Sequence, residues 1–210
     1  MSLAHPERIL ERFPGYALPP GTRPRYNVAP TDPVLVARAG ENQLTEMRWG
    51  LVPAWARDLA FGRRTFNARL ETLAEKPAFR GALRARRCLI FADGFYEWTG
   101  PAKHKVPFRF TVDGGAPFAF AALWERWGSR DAAVDTATVV TCSPNTLLAR
   151  MHDRMPAILD DGAIRVWLEG TLDEALAVIA PFDAERMHGE EVSRAVNRAG
   201  FDDPSCIAPV

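Results

Sequence analysis

One carboxylate of this sequence stands between two large aromatic rings, because Glu97 lies between Tyr96 and Trp98. Asp93-Gly94 predicts a turn before it, and Phe95–Trp98 predicts an aromatic-rich strand. A carboxylate flanked by rings is poorly solvated, which raises its pKa and fits it for acid or base chemistry near neutral pH. The alternative is an exposed strand glutamate that alternates with inward-facing rings.

Two further segments carry polar groups suited to catalysis or to phosphate binding. Asn67 is a candidate for orienting a polar substrate group and Arg69 for binding a phosphate. Taken singly, each is explained more simply, as a loop amide that caps a turn and as a surface arginine. His152, beside Asp153 and Arg154, is a candidate for proton transfer. Its alternative is a surface or packing histidine in a loop.

A strongly basic stretch, Arg57–Arg87, holds eight arginines and one lysine against three acids. The whole chain has 26 basic and 26 acidic residues, so this surplus is local. Such an asymmetry is what a phosphate-backbone footprint requires. Just before it, Trp49 and Trp55 flank Gly50 and Pro53, and their rings are either core plugs or platforms on which bases stack.

The composition limits the classes of protein to consider. A chain of 210 residues, 47% of them hydrophobic, predicts one globular domain. Cys88, Cys142 and Cys206 are widely spaced, which predicts a reducing, cytoplasmic location and no zinc site. No segment has the length or pattern of a membrane span or a signal peptide. A cysteine peptidase built from Cys142 and His152 is disfavoured, because no motif supplies an oxyanion hole or an orienting acid.

The periodicity predicts an α+β domain with many short strands. Helices are predicted at 5–13, 75–87, 160–168 and 175–180, the last opened by a capping box at Thr171–Glu174. Strands are predicted at 88–91, 95–98 and 136–142, with a closing strand at 191–197. Two hairpins are predicted, joining 33–38 to 44–49 and, around an Asp-Gly-Gly turn, 106–112 to 116–124.

Six segments together resemble the SRAP (SOS response-associated peptidase) family, in the order in which that family carries its motifs and over nearly the whole chain. They are Arg25–Pro30, Trp49–Pro53, Asn67–Thr72, Ala92–Trp98, His152–Pro156 and Val192–Asn197. The resemblance implies one α+β domain over residues 1–210, with an antiparallel, barrel-like β core and flanking short helices.

The resemblance also implies a function: recognition of abasic sites in single-stranded DNA. In the family, a cysteine exposed by removal of the initiator methionine attacks the open-ring sugar aldehyde, and its amine and thiol close a thiazolidine cross-link. The implied protein is a cytoplasmic monomer that associates with the nucleoid through DNA. It needs no metal, cofactor or membrane.

Roles carry over by position. Asn67 would orient the sugar, Glu97 would act as acid and base, and His152 would assist proton transfer. The residues implied to bind phosphates or to shape the pocket and stack on DNA are Arg69, Arg154, Pro30, Trp55 and Trp98.

The first residues depart from the family pattern. The family opens Met-Cys-Gly-Arg, whereas this chain opens Met1-Ser2-Leu3 and carries neither that cysteine nor that arginine. We expect the natural protein to start further upstream; the alternative is a variant without the cysteine. The polypeptide as printed is therefore expected to bind damaged single-stranded DNA without forming the thiazolidine, which leaves a non-catalytic DNA-binding module as the second hypothesis.

Overall fold

Eleven strands and four short α-helices form the part of the chain that the structure, a computed structural model, describes: residues 1–101, 104–198 and 200–210. The strands are β1 (Pro33–Arg38), β2 (Thr45–Trp49), β3 (Asn67–Arg69), β4 (Arg87–Ala92), β5 (Phe95–Thr99), β6 (Val106–Val112), β7 (Phe118–Trp127), β8 (Val134–Cys142), β9 (Met155–Pro156), β10 (Ile158–Leu159) and β11 (Met187–Glu191). The helices are α1 (Arg8–Arg12), α2 (Arg80–Ala85), α3 (Asp161–Glu169) and α4 (Leu172–Ala177).

Five strands close into a barrel in the order β7-β4-β1-β2-β8, with β8 pairing back onto β7. The predicted barrel-like core is confirmed, and one seam, β2 with β8, is parallel. Strand β4 is buried from Cys88 to Ala92, because one face fills the barrel while helices pack outside it. Trp167 of α3 is fully buried and donates to the Cys88 carbonyl at 2.9 Å. This double burial explains the unbroken apolar run of β4.

A second sheet, in the order β11-β6-β5, packs against the barrel through aromatic rings. Phe95 stacks on Phe110 within this sheet at 5.4 Å and meets Phe120 of the barrel edge-on at 6.2 Å. Such ring pairs add to the free energy gained from burial alone. The sheet therefore holds β5, with Glu97, at a fixed place beside the barrel.

The predicted hairpin of 106–112 with 116–124 is wrong. Strand β6 pairs with β5 and β11, whereas β7 pairs with β4, β8 and β10. Residues 113–115 all have positive φ, and Arg186 binds the Asp113 carboxylate. The turn therefore directs β6 and β7 into different sheets, in which β6 pairs with two strands and β7 pairs with three.

Of the other predicted secondary-structure elements, some are confirmed and some are wrong. The first hairpin, β1 with β2, is confirmed, and so are α3 and the Thr171–Glu174 capping box of α4. The closing strand is wrong beyond Glu191, since residues 194–197 form a 3-10 helix that Ser193 caps through the Ala195 amide. The helix expected at 75–87 is confined to α2, after Pro77.

The first four residues form an extended segment held on both sides by backbone hydrogen bonds. Met1 exchanges two hydrogen bonds with Val28, each 2.8 Å long. On the other side, Ser2 donates to the Gly94 carbonyl at 2.8 Å and accepts from the Asp93 amide at 3.0 Å. This segment, residues 1–4, is called the N-terminal segment below.

A buried ion pair fixes the N-terminal segment. The Asp93 carboxylate accepts from Arg109 Nη2 at 3.0 Å, from Ser2 Oγ at 2.7 Å and from the Ala4 amide at 2.5 Å. The side chains of Asp93 and Arg109 are only 4% and 12% exposed. Gly94 leaves room for this contact, because a Cβ there would lie 2.6 Å from Arg109 Nε.

Replacing Asp93 tests the importance of this pair. Asp93→Asn leaves Arg109 buried without a counter-charge, so we expect the free energy of unfolding to fall by about 3–5 kcal/mol. The control is Glu169→Ala, which removes an exposed partner of Arg165 and should cost about 0.5 kcal/mol or less. Urea denaturation measures both, and equal losses would contradict the assignment.

Candidate active site

A cleft of about 910 Å³ lies between the barrel and the second sheet, and three separate parts of the chain bring Asn67, Glu97 and His152 to it. Asn67 opens β3, Glu97 lies in β5, and His152 follows the 3-10 helix Leu148–Arg150. These are the three residues to which the sequence assigned catalytic roles. Their common lining of one cleft is a product of the tertiary fold.

Asn67 is positioned by the pairing of β3 with β8, where it lies opposite Val139. Trp49 at the end of β2 donates its indole N–H to the Phe66 carbonyl at 2.8 Å, which holds the residue immediately before Asn67. The Asn67 side chain is exposed, and no protein partner is found for it among the described residues. Its amide is therefore available to a ligand.

Glu97 is half-buried in the wall of the cleft, opposite Phe108 of the central strand of its sheet. Burial raises the pKa of its carboxyl group above the usual value, and the positive fields of His152 and Lys105 partly oppose this. The direction is the one expected from the flanking rings. A carboxyl group of this kind holds a proton at a higher pH than an exposed glutamate does and is suited to proton transfer.

Contacts to one ring nitrogen orient the His152 side chain. The Arg154 amide donates to His152 Nδ1 at 3.0 Å, and the Arg154 carbonyl oxygen lies 3.3 Å from the same nitrogen. The Asp153 carboxylate lies 3.2 Å from Nδ1 and would stabilise the ring when it is protonated. Neighbouring groups of its own loop thus hold the His152 ring at the cleft.

The two predicted phosphate-binding arginines differ in their surroundings. Arg154 lines the cleft, but its guanidinium is only 15% exposed and donates to Glu71 at 2.7 Å and to the Thr141 carbonyl at 2.6 Å. The bond from Arg154 lowers the pKa of Glu71, and the two bonds together fix the loop that carries His152. Arg69 is exposed on β3 and lies outside the cleft lining.

The three residues predicted to shape the pocket or stack on DNA are also divided. Pro30 and Trp98 line the cleft. Trp98 donates its indole N–H to Asn197 at 2.7 Å, which fixes the plane of the ring. Trp55 lies elsewhere, 60% exposed, against the edge of Phe61.

The structure adds cleft residues to which no role was assigned from the sequence. Lys105 and Arg194 line the cleft and are exposed, so they give it a positive rim. Asn27 lines it too and donates to the carbonyls of Val196 and Phe201, which ties the Arg25–Pro30 segment to the end of the chain. The motif at 192–197, which contains Arg194, was the feature of the sequence that pointed to this part of the cleft.

The cysteines are all buried, and none of them lines the cleft. Burial raises the pKa of Cys142 to about 11, which makes its thiol a poor nucleophile. Within the described ranges, no cluster of three His, Cys, Asp or Glu side chains is placed to bind a metal ion. None of the described helices has the length and hydropathy that crossing a membrane requires.

Comparisons with known proteins agree with one another. The family model for the SOS response associated peptidase (SRAP) matches residues 2–199. The abasic site processing protein YoqW of Bacillus subtilis (strain 168) is 40% identical, over 95% of this chain and 93% of that protein. The abasic site processing protein HMCES of Gallus gallus is 32% identical, over 90% of this chain and 67% of that protein. A crystal structure of a protein from Bordetella bronchiseptica has a TM-score of 0.80 and 28% identity, over 91% of this chain and 97% of that one.

The raised pKa of Glu97 predicts how stability depends on pH. The folded protein holds this proton more tightly than the unfolded chain does. The contribution of this tighter proton binding to the free energy of unfolding is therefore complete below the usual pKa of 4.5. It is lost as pH rises through the pKa that Glu97 has in the folded protein. The free energy of unfolding of wild type minus that of Glu97→Gln should accordingly be larger at about pH 4 than at about pH 8.

Glu174 provides a control of opposite sign for this measurement. Its backbone and side-chain hydrogen bonds to Thr171 lower the pKa of its carboxyl group, so the stabilisation it gives is present above the usual value and is lost as pH falls. Wild type minus Glu174→Gln should therefore increase from about pH 4 to about pH 8. Urea titrations at both pH values test the pair, and a Glu97 difference that rises with pH would refute the assignment.

Proposed function

The chain belongs to the SOS response associated peptidase family, and we propose that it recognises abasic sites in single-stranded DNA and forms a covalent protein–DNA cross-link there. The observation that carries the proposal is the common cleft of Asn67, Glu97 and His152, into which the N-terminal segment also extends at Met1. An amide, a carboxyl group of raised pKa and an oriented imidazole are the groups that reaction at a sugar aldehyde requires.

The cleft suits a nucleotide that has lost its base. Its walls combine aromatic rings, among them Trp98, with the cations Lys105 and Arg194. Rings favour stacking with the neighbouring bases, and cations at the rim favour the phosphates of a single strand. The Asn67 amide then has an open-chain sugar hydroxyl or aldehyde as its partner, since no group of the described residues satisfies it.

The proposed nucleophile is the cysteine that the family carries at its mature N-terminus, after self-removal of the initiator methionine. Its amine adds to the aldehyde carbon, and the resulting carbinolamine loses water to give an imine, with Glu97 donating the proton to the departing oxygen. The thiol then adds to the imine carbon, its proton moves to the nitrogen, and the thiazolidine ring is closed. The overall change is one aldehyde and one aminothiol giving one ring and one water.

The position of the N-terminal segment supports this role for a residue preceding Met1. Met1 lines the cleft together with Glu97. Its buried nitrogen donates to the Val28 carbonyl at 2.8 Å, so a residue joined to that nitrogen would start from a fixed point at the cleft wall.

A second candidate function, a damaged-DNA-binding module without covalent chemistry, is favoured by one observation. Cys88, Cys142 and Cys206 are all buried away from the cleft. The printed polypeptide therefore places no thiol beside the aldehyde, and it can bind the abasic strand without closing a thiazolidine.

Two versions of the protein separate these candidates. The printed chain and a chain in which the family's Met-Cys-Gly-Arg opening precedes Met1 are incubated with a single-stranded oligonucleotide that carries one abasic site. We expect a cross-linked band on a denaturing gel only for the cysteine-bearing chain, without added reductant. A stable cross-link from the printed chain would refute the thiazolidine, and its absence from both chains would leave only binding.

The proton-transfer role of Glu97 is tested in the cysteine-bearing chain. General acid–base groups contribute about 10²-fold or more, so Glu97→Gln should slow cross-linking at saturating DNA by about 10²-fold. The matched control is Glu191→Gln, because Glu191 lies opposite the same residue, Phe108, on the other side of β6, where it is exposed and outside the cleft. Equal rates for the two variants would remove Glu97 from the mechanism.

A further inference from the structure

A second hollow, of about 610 Å³, shares no lining residue with the cleft and is formed by one loop of the chain. Its lining residues are Trp55, Ala56, Arg57, Asp58, Ala60, Phe61, Arg63 and Arg64. It is called the arginine hollow below. It combines an exposed tryptophan with three arginines in a protein that has no net charge.

The arginines of this hollow differ from others in the basic stretch. Arg86 forms an ion pair with Glu125, and Arg87 donates to three backbone carbonyls. Across the described ranges, the side chains of Arg57, Arg63 and Arg64 make no ion pair or hydrogen bond, and all three are exposed. The structure thus uses part of the basic surplus internally and leaves these three charges free at one place.

The one acid of the hollow can offset only one of its three positive charges. Asp58 accepts a hydrogen bond from the Ala60 amide at 2.8 Å and so caps the 3-10 helix Leu59–Arg64. Its carboxylate is thereby engaged at the start of that helix, whereas Arg63 and Arg64 lie in its last turn. The hollow therefore keeps a positive surplus.

Aromatic packing and backbone contacts hold the loop in shape. Trp55 meets Phe61 edge-on at 5.3 Å, and the Arg64 guanidinium carbon lies 5.6 Å from the Phe61 ring centroid. Trp127 of β7 donates to the Ala56 carbonyl at 2.8 Å, which ties the loop to the barrel. A site on this loop is therefore preorganised, which lowers the cost of ordering it on binding.

The hollow is adjacent to the cleft along the chain. Arg64 precedes Phe66, which lines the cleft, by two residues, so their Cα atoms lie within about 7 Å of each other. The backbones of Gly50 and Gly62 touch, because a Cβ on either would lie 2.4 Å from the other's carbonyl oxygen. This contact keeps the base of the loop against Trp49, another residue of the cleft wall.

We propose that the arginine hollow is a second DNA-contact site, which binds the phosphodiester groups of the strand next to the abasic nucleotide. Guanidinium groups bind phosphate oxygens in pairs of hydrogen bonds, and three free guanidiniums beside exposed rings match a backbone whose sugars and bases lie between its phosphates. The inference rests on the proposed function, since the abasic nucleotide occupies the neighbouring cleft.

The test compares two double variants that remove equal charge. The Arg63→Ala, Arg64→Ala variant removes two of the three guanidinium groups of the hollow. The Arg80→Ala, Arg84→Ala variant removes two exposed arginines of α2 that line neither cavity. The dissociation constant for a single-stranded oligonucleotide is measured by fluorescence anisotropy from about 50 to 200 mM salt. The slope of log K against log salt should become shallower by about 1.4 for the first variant, as two lost phosphate contacts predict, and stay unchanged for the second.

The position of the contact is tested on the DNA. Oligonucleotides with a single uncharged methylphosphonate linkage at successive places around the abasic site are bound to wild type and to the Arg63/Arg64 variant. We expect one or two linkages adjacent to the abasic site to weaken wild-type binding and to have no effect on the variant. An equal effect on both proteins, or a salt slope equal to that of the α2 variant, overturns the inference.

Two further measurements distinguish a failure of this inference from a failure of the proposed function. Inorganic phosphate at millimolar concentration should not displace the oligonucleotide at constant ionic strength; displacement would assign the hollow to free phosphate and overturn the inference. If the cysteine-bearing chain neither cross-links nor prefers abasic DNA, the proposed function fails. The salt slopes on an undamaged oligonucleotide still decide whether the hollow binds phosphodiesters.

Discussion

The buried pair of Asp93 and Arg109 is the interaction on which the site depends. It satisfies the amide and hydroxyl groups of the N-terminal segment in a place from which water is excluded. A buried carboxylate without such partners is too costly to keep. The pair therefore holds the segment between Val28 and Gly94, and with it the direction in which the chain enters the cleft. The proposed covalent chemistry requires that the nucleophile reach one fixed point in the cleft. The Asp93–Arg109 pair meets this requirement by holding the N-terminal segment in place.

The cleft is built by two layers with separate tasks. The barrel carries Asn67 at the start of a strand paired to β8, and the second sheet carries Glu97. The His152 loop closes the third side, and Arg154 anchors it to Glu71. The half-buried carboxyl group and the exposed imidazole are thus held in different surroundings within one cleft. Burial raises the pKa of the Glu97 carboxyl group, which suits this group to proton transfer nearer neutral pH.

The local pattern of apolar and turn-forming residues predicted much of the fold correctly. The apolar run of β4, the β1–β2 hairpin and the capping box of α4 are each dictated by neighbours in the chain, so periodicity and turn chemistry predict them. The failures arise where strands choose distant partners. Residues 113–115 resemble a hairpin turn, yet β6 and β7 enter different sheets, and the 192–197 motif forms a 3-10 helix rather than a strand. Local sequence specifies a turn, but competition among strand pairings decides which sheet receives each strand.

For the site, the sequence by itself determined the inventory: an amide, a carboxylate between rings, a histidine beside an acid, and a local excess of arginine. The tertiary structure alone decided which of these groups share a cleft, that Arg154 is engaged by Glu71, and that Arg57, Arg63 and Arg64 lie exposed around a different hollow. The physical reason is that an ionisable side chain acts through the partners it meets. Those partners come from segments far apart in the chain, so composition and spacing fix the charge of a residue while folding fixes whether that charge is already neutralised.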